Sequence, residues 1–142
     1  MKNILIFETE AFDLTEPKAE ADGRERPMGR DVAEFFWKKL REKGLEPTSI
    51  DEDVASWTFG VTYLRSTYVF YIQFMTLGKP LKDCWVIEIR KYIGFFGMFF
   101  SKVDNSDECG PLIEVFNEIS SKIPGLSDLK WVDGKQYADY LK

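Results

Sequence analysis

No histidine occurs among the 142 residues, and this absence removes the Ser-His and Cys-His nucleophile pairings together with the commonest transition-metal ligand. The two cysteines, Cys84 and Cys109, form no CxxC pair and are too few for a structural zinc site. Walker, GxGxxG, GxSxG and EF-hand spacings are absent. The run Gly94-Phe95-Phe96-Gly97 has neither the basic residue nor the helix start that phosphate binding needs. The expectation is a chain with no cofactor, no metal and no assigned catalytic residue, leaning away from an enzyme.

Carboxylates remain, and a paired-carboxylate hydrolase needs no imidazole. Asp51-Glu52-Asp53 is the densest acidic triplet, with Trp57 just beyond it as an aromatic wall against which one carboxyl could be held protonated. Three consecutive acids cannot all point one way on a strand. The triplet therefore reads better as an acidic hot spot for a basic partner, or simply as a solvated turn. Tyr63, Tyr68, Tyr71 and Tyr92 could line an exposed sheet face as a recognition surface. The competing reading places most aromatics in the core, with tyrosine hydroxyls at its rim. A stacking platform for single-stranded nucleic acid would need interleaved Lys and Arg, and this region has few.

The chain is 44% hydrophobic and 15% aromatic, too apolar for disorder, and its length suits one domain. Its net charge is −5, and all of it falls in residues 1–60, which carry 14 acids and 9 bases. A net acidic chain without Lys/Arg clusters is poorly matched to a phosphate backbone, so nucleic acid is not expected as a partner and a basic protein is. The same charge also serves solubility. The longest apolar run, Ile93 to Phe100 (IGFFGMFF), is far shorter than the ~20 residues of a membrane-spanning helix. It reads as a strand bent at its glycines, with a docking patch or membrane-touching loop as the alternative. The opening run Ile4 to Phe7 meets Glu8 and Glu10 too soon for a secretory core, which makes a cytoplasmic location the expectation.

Hydrophobic periodicity places the elements. Asn3 to Glu8 reads as a strand, and the charged stretch 13–26, with Pro17 and Gly23, as a flexible loop. Gly29 to Lys43 is an amphipathic helix with Val32, Phe36 and Leu40 on one stripe, and Gly44-Leu45 resembles a left-handed C-terminal cap. From Ser56 the period changes to two. Trp57 to Tyr63, Tyr68 to Thr76 and Asp83 to Tyr92 form a meander, the first two joined by a turn near Arg65-Ser66. Pro111 starts a second helix carrying Leu112, Val115, Phe116, Ile119 and Ile123; Leu129 to Val132 reads as a short edge strand and Gln136 to Leu141 as a terminal helical turn. The expected architecture is a single α+β domain over residues 1–142. It has an antiparallel sheet of about four to five strands, with two main helices packed on one face.

Gly29-Arg30-Asp31-Val32-Ala33, the helix through Leu40 and Gly44, and then Glu52-Asp53 and Trp57 resemble a small bacterial family of mostly undetermined function with a G-x-D-[LV]-A, helix, E-D-aromatic pattern over roughly residues 28–60. This chain departs from it in setting Val54, Ala55 and Ser56 between the acids and Trp57. Such proteins are similar in kind to toxin-immunity proteins. The resemblance implies a non-catalytic immunity or inhibitor protein that neutralises a basic partner such as a bacterial toxin, with Asp51, Glu52, Asp53, Trp57, Tyr63, Tyr68 and Tyr71 as partner-binding residues. The alternative is a small carboxylate-dependent hydrolase or ligand-binding domain with an aromatic-walled pocket near Trp57. A homodimer joined through sheet edges or the IGFFGMFF run is a third reading.

Overall fold

The computed structural model describes residues 3–9, 12, 29–52, 56–76, 83–91 and 110–140. Within them the order is β1 (Ile4–Glu8), α1 (Arg30–Glu42), β2 (Asp51–Glu52), β3 (Trp57–Tyr63), β4 (Ser66–Thr76), β5 (Asp83–Lys91), α2 (Gly110–Ser120), β6 (Asp128–Val132) and α3 (Gly134–Tyr140). The strands form one sheet in the order β2-β3-β4-β5-β1-β6, and every pairing is antiparallel.

The α+β class stands, and the described residues add detail to it. The sheet has six strands rather than four or five, and there are three helices rather than two. The extra strand, β2, is two consecutive acids, which carry no alternation by which a strand could be read. The proposed strand at Ile93 to Phe100, the loop 13–26 and Cys109 lie outside the described residues.

β1 shows why the sheet is closed in its centre. Ile4, Leu5, Ile6 and Phe7 are all buried because β1 sits between β5 and β6 with both faces covered. Leu5 and Phe7 point to the inner face, where α1 and α2 pack; Ile4 and Ile6 point to the outer face. The inner core gathers Trp57, Phe59 and Val61 of β3, Tyr68, Phe70 and Ile72 of β4, and Trp85, Ile87 and Ile89 of β5 under Val32, Phe36 and Leu40 of α1 and Leu112, Phe116 and Ile119 of α2. The smaller outer cluster holds Ile4, Ile6, Cys84, Val86 and Val132, with Tyr137 of α3 against it. Two helices on one face is thus what forms on the inner side, and α3 occupies the other.

Both ends of α1 rest on glycine. Gly29 has φ +116°, and a Cβ there would stand 3.1 Å from the ring of Trp85, so the helix starts by passing directly over the core indole. At the other end Gly44 has φ +87°, with Gly44 N–H donating to Arg41 O at 3.0 Å and Leu45 N–H to Leu40 O at 3.1 Å. That pair of bonds is the Schellman motif, and Leu45 completes it by packing on the core.

Candidate functional site

The acidic edge is built from a single anchored residue outward. Thr48 donates its N–H to Gly60 O at 2.8 Å and accepts the Gly60 N–H on its own Oγ1 at 2.8 Å, while Trp37 Nε1 of α1 donates to Thr48 O at 2.7 Å. Three bonds therefore tie this residue to both layers. Leu45 and Ile50 turn inward to the core, and Glu46, Asp51 and Glu52 are left exposed. Asp51 pairs with Thr58 and Glu52 with Trp57, which places both acids on the outermost strand of the sheet. No Lys or Arg occurs from Gly44 to Ser56. Asp53 lies outside the described residues.

The aromatic members of the expected surface divide between faces. Trp57 is only 4% exposed and forms part of the inner core, with the Arg30 guanidinium 5.4 Å over its ring and Arg30 held in turn by Glu34 at 3.1 Å. Tyr68 is 1% exposed and belongs to the same core. Tyr63, half-buried, packs against that core, while Tyr71 sits on the outer face. A common exposed tyrosine face is therefore not what the sheet presents. The reason is elementary: positions 68 and 71 are an odd number apart on one strand, so their side chains point to opposite sides. Trp57 and Tyr68 leave no side-chain surface for a partner. Tyr92 lies outside the described residues.

On the outer face a cluster emerges that motif reading passes over. Arg90 makes a bidentate contact with Glu88, Nε to Oε1 at 2.7 Å and a terminal nitrogen to Oε2 at 3.1 Å, and its guanidinium lies 4.9 Å from the Tyr71 ring. The hydrogen bonds that Arg90 donates to Glu88 raise the Arg90 pKa further, against the opposing cost of burial. The signal was present as opposite charges two apart on one strand, which must share a face.

A hollow with aromatic walls, of the kind the alternative reading expects, lies on α1. It measures about 490 Å³ and is lined by Phe12, Phe35 and Trp37 with Asp31, Glu34, Lys38 and Lys39. Its volume falls in the small-ligand range. The carboxylates there are already engaged, Asp31 by the Val32 N–H at 3.0 Å and Glu34 by Arg30. Among the described residues no three Cys, Asp or Glu side chains gather to hold a metal, and no helix is long and apolar enough to cross a membrane.

No protein-family model matches the chain, and no curated protein or solved structure shows significant similarity to it.

Proposed function

We propose that the chain is a non-catalytic binding protein of the immunity or inhibitor kind, which engages a basic protein partner through its acidic sheet edge. The observation that carries this reading is the exposed row Glu46, Asp51 and Glu52 on and beside β2, pinned by Thr48, in a stretch of sequence from Gly44 to Ser56 that contains no Lys or Arg. An edge strand offers unpaired backbone groups to an incoming extended segment, and its charges select which segment can approach. Like charges repel a second copy of the same edge, whereas a Lys/Arg-rich strand gains complementarity. The acids act on association and specificity, so the contact should weaken with salt.

The test uses the product of the neighbouring reading frame as probe, in pull-down and titration at low and high ionic strength. The expected result is a salt-sensitive complex that Asp51→Lys with Glu52→Lys weakens by about 10- to 100-fold, since both positions are exposed and the fold should tolerate the change. A complex indifferent to salt and to charge reversal, or no complex, overturns the reading. The hollow on α1 supports a second reading, a site for a small flat ligand between Phe12, Phe35 and Trp37. Saturable quenching of Trp37 fluorescence by a small aromatic compound, unaffected by the edge substitutions, would favour that reading instead.

A further inference from the structure

α3 is held to the sheet in an unusual way. Of its described side chains, Tyr137 packs into the outer cluster of Ile4, Ile6, Cys84, Val86 and Val132, whereas Lys135, Gln136, Ala138 and Asp139 are exposed. The N-terminus of the helix is closed by the chain itself and not by the sheet. Asp133 N–H donates to Gln136 Oε1 at 3.0 Å, Gln136 N–H donates to Asp133 Oδ1 at 2.8 Å, and Tyr137 N–H donates to Asp133 O at 3.0 Å. This is a reciprocal capping box, which closes the N-terminus from within.

The ring that docks the helix also opposes the docking. The Tyr137 hydroxyl is enclosed and meets no hydrogen-bond partner at bonding geometry. Burial raises its pKa, with Cys84 and Glu88 adding to the rise; Gln73 approaches closely enough to offset part of it without completing a bond. An enclosed hydroxyl without a partner cancels much of what burying its ring contributes. A helix of 7 residues has little stability of its own once detached. The net contribution of this ring to docking is therefore small, and it lies apart from the inner core.

We propose that α3 is a latch, docked on the outer face through the Tyr137 ring, whose release uncovers the apolar patch of Ile4, Ile6, Cys84, Val86 and Val132 while the sheet and inner core stay folded. The patch spans β1, β5 and β6. This inference does not depend on the acidic edge and stands or falls apart from it.

Cys84 lies at the β5 end of the patch, next to Val86, is buried, and reports its opening. With Cys109 replaced by serine, modification of Cys84 by a small aromatic disulfide is followed as urea is raised. A latch gives a labelling rate whose urea dependence is much shallower than that of global unfolding, because little surface is exposed in the opening step. Tyr137→Ala is expected to speed labelling about tenfold or more, and Gln136→Ala, which keeps the ring but breaks the capping box, by a few-fold. Tyr137→Phe keeps the packing and removes the unpaired hydroxyl, so its rate should equal or fall below that of the parent. Labelling that follows global unfolding in the parent chain overturns the latch. So does a rate unchanged by both Tyr137→Ala and Gln136→Ala.

Discussion

Leu64 and Arg65 join β3 to β4 with φ values of 49° and 69°, both left-handed and neither a glycine. A two-residue hairpin needs this geometry because its twist then matches the strands, yet L side chains other than Asn and Asp adopt it at a cost of roughly 1 kcal/mol each. Leu64 is also 68% exposed, so its side chain recovers little of that cost by packing. Replacing the pair by Asn-Gly should therefore raise stability by about 1–2 kcal/mol, read as a higher urea midpoint with unchanged slope. The sequence points to the turn but sets it one residue late, at Arg65-Ser66, because Leu-Arg carries none of the Gly or Asn chemistry that marks a hairpin. The same scale explains what could be read of the candidate site. Asp51 and Glu52 stand out by their charge alone, whereas Thr48, which holds them in place, is one ordinary threonine whose role comes from a distant glycine on another strand. Tyr68 and Tyr71 were separable by parity alone.

At the scale of elements, the two inner helices meet at a surface clamp. Lys43, the C-terminal cap of α1, reaches Glu118 of α2 at 2.9 Å, and Lys122 approaches the same carboxylate at 3.7 Å. The hydrogen bond from Lys43 and its charge, with Lys122 adding less, hold the Glu118 carboxyl below its ordinary range. A lowered carboxylate stabilises the fold above its unfolded pKa and loses that contribution as pH falls through the lower folded value. The group is exposed, so the effect is small and screened by salt. NMR titration should find Glu118 titrating below the ordinary glutamate range, and Lys43→Met should move its midpoint upward; an unchanged midpoint would mean that the clamp does not persist in solution. The helices that make this contact were legible because α1 repeats its apolar residues every four positions and is followed by Gly44-Leu45, and α2 has Pro111 in its first turn and carries the stripe Leu112, Phe116, Ile119. The position of β1 was not legible. Its continuous apolar run shows burial on both sides but not which strands flank it, and the insertion of β1 between β5 and β6 is a long-range outcome.

For the molecule as a whole, a chain of phenylalanine rings joins the two layers. Phe116 of α2 stacks on Phe36 of α1 at 5.3 Å and leans on Phe70 of β4 at 4.6 Å; Phe36 continues to Phe7 of β1 at 6.2 Å, and Phe70 to Phe59 of β3 at 5.0 Å. Through Phe116 α2 touches both the sheet and the other helix, and the ring is fully buried. Phe116→Ala should cost about 3–5 kcal/mol, a large share of the roughly 5–15 kcal/mol that stabilises a domain. Because the ring belongs to both layers, that loss should lower the whole transition without splitting it. Far-ultraviolet dichroism and tryptophan fluorescence test this together, since Trp37 lies on α1 and Trp57, Trp85 and Trp131 on β3, β5 and β6. Coincident curves in the variant mean that helices and sheet unfold as one unit; curves that separate mean the layers are independent and the ring chain is not what unites them. α3 carries no tryptophan, and none of its described side chains belongs to the inner cluster. Its opening would leave the fluorescence curve untouched, so a cooperative inner core and a loosely docked outer helix are compatible properties of the same sheet, one for each face.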